Sequence, residues 1–201
     1  MLIEQLSGRI MSSVARSAVA RFRYGVFVQD LQWTLPCKEG AEQDEFDTTD
    51  ATHIVAYSDD GAVMGYARLL PTDRPYLLAT HFPHLLNGQE PPCTPFIWEL
   101  SRFAAGIGPG TGPDDSTCMR TLVGKRVLLE AVKFGQAREC RQLVFCTTVA
   151  IERLARRWGV DVRRLGRPCR VGPDLLVALS IECTDHTIAA LVDAPRIDMT
   201  R

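Results

Sequence analysis

The stretch Phe96-Ile-Trp-Glu99-Leu-Ser-Arg102-Phe-Ala104 decides the fold of this chain. Apolar, β-branched and aromatic residues fill the region between Pro95 and Gly106, which predicts a buried strand at the centre of a sheet. Glu99 and Arg102 put two charges into this strand, and a buried charge is costly unless it is paired or used. The two residues therefore form either a structural ion pair or part of a functional site.

The spacing of the two charges makes a further prediction about the strand. Residues three apart on a regular strand point to opposite faces of the sheet. Glu99 and Arg102 can therefore meet on one side only if a β-bulge intervenes near Leu100–Ser101, and we expect such a bulge beside a ligand cleft. Without a bulge, Glu99 would share its face with Phe103, and Arg102 would face the other layer.

Hydrophobic periodicity and turn residues predict the other elements of the chain. In order, they are a helix at 12–31, a loop at 37–51, a β-hairpin at 53–57 and 62–70, a short helical segment at 76–94, the central strand at 95–105, a Gly/Pro-rich loop at 106–115, a helix at 116–139 that Ser116 or Thr117 caps, a strand at 143–148, a helix at 151–158, and strands at 160–165 and 175–182. Strand–helix–strand alternation implies parallel neighbours, whereas the hairpin is antiparallel. The sequence therefore predicts an α/β fold with a mixed sheet between helical layers.

Composition and charge narrow the functional classes. The 201 residues suit a single domain with a full core, and a net charge of −1 gives no general argument for binding a polyanion. The charge is uneven, however, with seven acids and no Lys or Arg at 42–60, and thirteen Lys and Arg against four acids at 120–170. The basic region predicts either a docking face for an acidic partner or a solvated helix surface. It lacks interleaved aromatic residues, so we do not expect nucleic-acid binding.

Cysteine usage and the N-terminal sequence indicate the compartment. The seven cysteines are scattered and form no C-x-x-C motif, which argues against a disulfide framework and a zinc site and favours a reducing compartment. The N-terminus lacks the pattern of a signal peptide, and we find no apolar run of the ~18 residues that a membrane span needs. We expect a cytoplasmic monomer with no bound metal and no permanently bound cofactor.

A second group of charged and aromatic residues precedes the central strand. They are Arg23, Phe27, Trp33, Asp44, Asp47 and Arg68. With Glu99 and Arg102 they supply three acids and three arginines, which could form a neutralised network around a polar ligand. Arginines pair with carboxylates, and aromatic rings stack on cations or flat rings. The structural alternative is a core position for Trp33 and a solvated acidic loop for Asp44 and Asp47.

The order and spacing of these residues resemble the acyl-homoserine lactone synthase family of bacterial quorum sensing. The matching pattern is Arg23-x3-Phe27-x5-Trp33-x10-Asp44-x2-Asp47, then Arg68 in Gly-Tyr-Ala-Arg-Leu-Leu-Pro, then Trp-Glu99-Leu-Ser-Arg102-Phe-Ala, within a resemblance that runs from Arg21 to Leu179. It implies a GNAT-like three-layer α-β-α sandwich over 1–201, with a helical N-terminal cap at about 1–35 over the site. It also implies two substrates, S-adenosylmethionine and an acyl thioester on acyl carrier protein or coenzyme A.

The resemblance also implies roles for individual residues. Glu99 and Arg102 become catalytic residues, and Glu99, with its pKa raised by burial, would be the general base for the S-adenosylmethionine amine. The substrate carboxylate would then attack its own γ-carbon, closing the lactone and expelling methylthioadenosine. The residues implied to bind S-adenosylmethionine are Arg23, Phe27, Trp33, Asp44, Asp47, Arg68 and Phe103.

We expect a pocket to select the acyl chain, and the residues expected to line it are Met64, Phe82, Phe145, Thr147 and Thr148. Family members that prefer 3-oxo chains tend to carry threonine where we place Phe145. We therefore expect an unsubstituted, 3-hydroxy or branched acyl group of short to medium length. A shift of one or two residues in the match would instead place Thr147 or Thr148 at that position.

The acyl carrier and the reaction class both have alternatives. The basic region at 120–170 suits the acidic recognition helix of acyl carrier protein, which we expect to be the donor, but its arginines could also hold the phosphates of coenzyme A. A GNAT-type N-acyltransferase using acyl-coenzyme A and another amine would not need the Arg23–Trp33 helix. If the chain were a non-catalytic acyl-binding relative, we would expect at least one charged residue of the pattern to be missing.

Overall fold

The computed structural model describes residues 1–106 and 113–192, with side chains described from residue 117 in the second part. The strands are β1 (Leu2–Ser7), β2 (Thr52–Tyr57), β3 (Val63–Pro71), β4 (Ile97–Ala105), β5 (Gln142–Thr148), β6 (Val162–Arg164), β7 (Cys169–Val171) and β8 (Asp174–Glu182). The α-helices are α1 (Ser13–Arg23), α2 (Leu77–His81), α3 (Pro113–Gln136), α4 (Val149–Arg157) and α5 (Asp185–Val192). Among the helices of these residues, none is both long and apolar enough to cross a bilayer.

The strands form one mixed sheet in the order β1-β2-β3-β4-β5-β8-β6, and β7 pairs with β8. Neighbours are antiparallel from β1 to β4 and from β5 to β8, whereas β4 and β5 are parallel. Parallel neighbours need a long crossover connection, which α3 provides. The predicted hairpin and the predicted strand–helix–strand unit are therefore both confirmed.

Helices cover both faces of the sheet. Residues of α3, α4 and α5 pack in one apolar cluster with alternate strand residues such as Leu143 and Phe145. The intervening Val144 packs with α2 on the other side, where α1 also lies. Since strand residues alternate between faces, these clusters lie on opposite sides of the sheet. We call the two sides the α3 face and the α1 face.

The predicted helix at 12–31 is present, and it changes character midway. Ser12 caps α1 by accepting a hydrogen bond from the backbone N–H of Ala15 at 3.1 Å. After Arg23 the chain continues as a π-helical segment, Tyr24–Asp30. π-Helical turns are rare and are frequent at functional sites. This segment carries Phe27 into the protein interior.

Several elements differ from the predictions. Strand β1 lies within the region expected to be a helical cap, and it is an edge strand whose residues are half-buried or exposed, so no apolar run marks it. The short strand β7 was not predicted, and α5 occupies a region for which we made no prediction. Helix α3 begins at Pro113, so Ser116 and Thr117 are not its caps. Most of the predicted loop at 106–115 lies outside the described residues.

Candidate active site

Strand β4 carries the predicted bulge, two residues later than expected. Arg102 and Phe103 together lie opposite Ala67 of β3. The backbone φ angle of Arg102 is +53°, in the left-handed region that side chains other than glycine rarely adopt. Such a conformation persists where the surrounding structure holds it, often at functional sites. The prediction of a bulge near Leu100–Ser101 is confirmed, and the bulge lies at Arg102–Phe103.

The bulge exchanges the faces of the residues that follow it. Glu99 and Ser101 face the α1 side, where the Ser101 hydroxyl accepts a hydrogen bond from Arg68 Nε at 3.1 Å. The additional residue brings Arg102 to this side as well. It also turns Phe103 to the α3 face, where the ring tip packs on Gly124 of α3. The structure therefore does not bring Phe103 to the site expected for it.

A buried network of six charged side chains lies on the α1 face. Each side chain is at most 10% exposed. Its members are Arg23, Arg68, Arg102, Glu42, Asp44 and Asp47. Three positive and three negative charges cancel, and their mutual pairing offsets the cost of removing them from water.

Arg68 and Arg23 are held by the two aspartates of the motif. Arg68 pairs with both oxygens of Asp44 and donates from Nη1 to Asp47 Oδ1 at 2.9 Å. Arg23 Nη1 donates to the same Asp47 oxygen at 2.7 Å. Burial alone would raise the pKa of Asp47, but the two guanidinium groups hold it well below its usual range. Asp47 is therefore ionised at neutral pH, and its carboxylate bridges Arg23 and Arg68.

Glu42 is the acid that sequence reasoning missed. Its side chain is 1% exposed and accepts hydrogen bonds from Arg23 Nε and from Arg102 Nη2, the latter at 3.1 Å. Arg102 also lies 2.7 Å from Asp44 Oδ2. Glu42 therefore takes the place in the network that we had assigned to Glu99. The only sequence signal for it was its membership of the acidic loop.

An aromatic wall adjoins the charged network. The rings of Phe27 and Trp33 stack with centroids 5.1 Å apart and planes 13° apart. The guanidinium carbon of Arg102 lies 5.8 Å from the Phe27 centroid. The backbone N–H of Trp33 donates to Phe27 O at 2.9 Å, which fixes the chain as it leaves the π-helical segment. A stacked pair beside charged groups can accept a ligand that carries a cation or a flat ring.

Glu99 lies beside the network but has its own partners. It is 1% exposed, and it accepts backbone N–H bonds from Leu77 at 3.0 Å and Leu78 at 2.6 Å. Burial raises the pKa of Glu99, as predicted, although the two N–H groups and nearby Arg68 oppose the rise. Its charge, added to burial, raises the pKa of the Cys146 thiol to about 12. Glu99 is thus a buried carboxylate with a raised pKa, held in place by two backbone N–H groups.

A cleft in the sheet opens next to Glu99. Strands β4 and β5 pair only from Ile97–Glu99 to Gln142–Val144, although β4 continues to Ala105 and β5 to Thr148. Beyond Glu99 the facing backbone edges of the two strands are therefore not bonded to each other. Such edges can bind an extended ligand by strand-like hydrogen bonds.

The residues predicted for the acyl pocket are not all brought together. Met64 and Phe145 lie in the core on the α3 face, and a bulge in β3 places Met64 on the face opposite to that of Tyr66 and Arg68. Phe82 packs on the α1 face. Thr147 is half-buried on β5, and Thr148 is the N-cap of α4.

The basic region is concentrated in exposed residues that follow β5. Seven exposed arginines occupy α4 and the segment that follows it, and they are Arg153, Arg156, Arg157, Arg163, Arg164, Arg167 and Arg170. Arg156 and Arg164 pair with Glu152. We call these seven residues the arginine surface.

Comparisons with known proteins identify the family to which this chain is similar. The profile of the autoinducer synthase family matches residues 8–191. The acyl-homoserine-lactone synthase of Acinetobacter nosocomialis is 41% identical over 150 residues, which are 75% of this chain and 82% of that protein. The acyl-homoserine-lactone synthase of Ralstonia nicotianae is 39% identical over 190 residues, 92% of this chain and 89% of that protein. The crystal structure of TofI in a ternary complex with an inhibitor and MTA superposes with a TM-score of 0.83 at 35% identity, covering 97% and 98% of the two chains.

The fold and the site define a protein of the α/β acyltransferase class. The chain belongs to the autoinducer synthase family. The resemblance stated from the sequence pattern is therefore confirmed.

Proposed function

We propose that this protein is an acyl-homoserine-lactone synthase that joins an acyl group to S-adenosylmethionine and then closes the lactone. The observation that carries the proposal is the gathering of a charged and aromatic set on the α1 face, beside Glu99 and the β4–β5 cleft. The set comprises Arg23, Phe27, Trp33, Asp44, Asp47, Arg68 and Arg102.

The network and the aromatic wall suit the two ends of S-adenosylmethionine. Its sulfonium cation and adenine ring match the stacked Phe27 and Trp33. Its carboxylate matches guanidinium groups such as that of Arg102, which pairs with Glu42 and Asp44 and is kept rigid by them. A rigid site of this kind loses little entropy on binding.

In the first step the amine of S-adenosylmethionine attacks the thioester carbonyl. Glu99 takes a proton from the amine, directly or through a water, and its raised pKa suits this role. Backbone N–H groups of β4 beyond Glu99 stabilise the oxyanion of the tetrahedral intermediate. Collapse of that intermediate breaks the carbon–sulfur bond, and the carrier thiolate leaves and receives the proton.

In the second step the carboxylate oxygen attacks the γ-carbon of the same molecule. The bond from that carbon to the sulfonium sulfur breaks, and its electron pair leaves with neutral methylthioadenosine. This step needs a folded substrate more than a catalytic group. The aromatic wall and the arginines hold the two ends of the substrate, and so they set its conformation.

Acyl carrier protein is the donor that the arginine surface favours. Helix α4 begins at Val149, directly after β5, so the start of this arginine-bearing helix lies at the open end of the β4–β5 cleft. Arg153 and Arg157 make no ion pair with any residue that the structure describes and are available to an acidic partner. Arg153→Glu/Arg157→Glu should raise KM for acyl carrier protein thioesters about tenfold or more, with a smaller effect for coenzyme A thioesters. An equal effect on both donors would reject the docking surface.

The reaction itself is tested by mass spectrometry. Purified protein is incubated with S-adenosylmethionine and matched acyl carrier protein and coenzyme A thioesters. We expect acyl-homoserine lactone and methylthioadenosine in equal amounts. Acylation without methylthioadenosine release would indicate a plain N-acyltransferase, and binding of acyl donors without turnover would indicate a non-catalytic relative.

A further inference from the structure

His53 is a buried group that the proposed mechanism does not use. It lies on β2 opposite Arg68 of β3, on the α1 face, and is 2% exposed. Burial lowers the pKa of His53 to about 4, Asp47 opposes this shift, and the cations Arg68, Arg23 and Arg16 add to it. At neutral pH the imidazole is therefore uncharged, with one N–H donor and one acceptor nitrogen.

Tyr66 connects His53 to Arg23. Nδ1 of His53 lies 2.7 Å from the Tyr66 hydroxyl oxygen, and the Arg23 guanidinium lies over the Tyr66 ring at 5.5 Å. Burial raises the pKa of Tyr66 to about 12, so its hydroxyl keeps its proton. Because the cation faces the tyrosine, the hydroxyl proton is best directed away from it, toward Nδ1. This places the imidazole proton on Nε2.

A small cavity lies beside His53 and Arg23. His53 Nε2 and Arg23 Nη2 are both buried, and neither hydrogen-bonds to any residue that the structure describes. Both residues line a cavity of about 10 Å³, and Asp47, Gln43 and Arg16 supply its other polar groups. This volume suits one water, which needs two to four polar partners. A water here could accept from both nitrogens and donate to Asp47.

We propose that His53 is a positioning residue of the substrate site, and that one buried water joins its Nε2 to Arg23 and Asp47. Tyr66 holds the imidazole from one side, and the water holds it from the other. Together they keep the Arg23 side of the charged network in the orientation that S-adenosylmethionine requires. The inference rests on the proposed function only for the identity of that substrate.

The first test needs no turnover. Nitrogen–proton correlation NMR of the wild-type protein at pH 7 reports the tautomer of each histidine. We expect His53 to be neutral, with its proton on Nε2 and in slow exchange. A proton on Nδ1, or a doubly protonated ring, would overturn the proposal even if the enzyme proves active. Failure of the proposed function would leave this result unchanged.

The second test compares His53→Phe and Tyr66→Phe with their double variant. We expect each single variant to raise KM for S-adenosylmethionine about tenfold, the scale of one hydrogen bond, with little change in kcat. The double variant should match the singles, because both act through one chain of contacts. His186→Phe, at an exposed position on α5, is the control. Unchanged KM in folded single variants, or additive effects, would overturn the proposal.

If His53→Phe fails to fold, Tyr66→Phe decides the question, because it removes only one hydroxyl. Calorimetric titration with S-adenosylmethionine then measures binding without turnover. A Kd about tenfold weaker in Tyr66→Phe supports the positioning role. An unchanged Kd rejects it, whether or not the protein makes a lactone.

Discussion

Replacing Glu42 by glutamine tests the buried charged network directly. Glu42 is 1% exposed and pairs with Arg23 and Arg102, so Glu42→Gln leaves three arginines against two acids in the protein interior. Removing one partner of a buried ion pair costs about 3–5 kcal/mol, because the remaining charge stays buried without compensation. For a chain of this length, we expect the midpoint of thermal unfolding to fall by roughly 10 °C.

The assay is urea unfolding followed by tryptophan fluorescence, with Asp50→Asn as the matched control. Asp50 also pairs with an arginine, Arg74, but the two side chains are 34% and 56% exposed. An exposed pair contributes about 0–1 kcal/mol, so the control should unfold close to wild type. If Glu42→Gln lowers the free energy of unfolding no more than Asp50→Asn does, the six charged side chains do not stabilise one another as described above.

Three further predictions concern binding, specificity and pH. Trp33→Leu should raise KM for S-adenosylmethionine about tenfold, with a smaller effect on kcat, because it removes one ring of the stacked pair. Steady-state kinetics measure both constants, and an effect on kcat alone would contradict the prediction. With Phe145 as a specificity residue, the enzyme should prefer unsubstituted to 3-oxo donors of equal length, and a clear 3-oxo preference in a paired assay would refute this. The folded protein holds the pKa of Asp47 below its unfolded value near 4, so ionised Asp47 stabilises the fold above about pH 4 and this stabilisation is lost as the pH falls below that value. The free energy of unfolding in urea should therefore be lower at pH 3 than at pH 6. Asp47→Asn should make this difference smaller.

The sheet and its crossover could be predicted because their signals are local. The β2–β3 hairpin is marked by two apolar runs around a tight turn at 58–61, and β4 and β5 flank a long amphipathic helix. Strand β1 could not be found in the same way. It is an edge strand without a buried apolar run, and only pairing with β2 defines it.

The site was predicted where residue spacing carries the information and missed where folding alone creates the contact. The order and spacing of the motif identified Arg23, Asp47 and Arg102, which the structure brings together. Glu42 lies in a polar loop with the composition of a solvated surface. It becomes buried only because that loop folds over the α1 face, where Arg23 and Arg102 meet it.

The bulge explains the error at Phe103. Alternation from Glu99 would place Phe103 on the same face as Ser101. One additional residue at Arg102 reverses that pattern, and the side chain that reaches the site is the arginine instead. The existence of a bulge followed from two charges three residues apart in a buried strand. Its position depends on the pairing of β4 with β3, which sequence periodicity does not reveal.

The most direct test of the account is the effect of Glu99→Gln on acyl transfer to S-adenosylmethionine, with the exposed Glu90→Gln as control. Glutamine keeps the size of the side chain but cannot take the amine proton. We predict that kcat falls by about 10²–10⁴ while S-adenosylmethionine still binds and the protein stays folded, and that Glu90→Gln matches wild type. A Glu99→Gln variant with wild-type kcat would contradict the assignment of Glu99 as the general base.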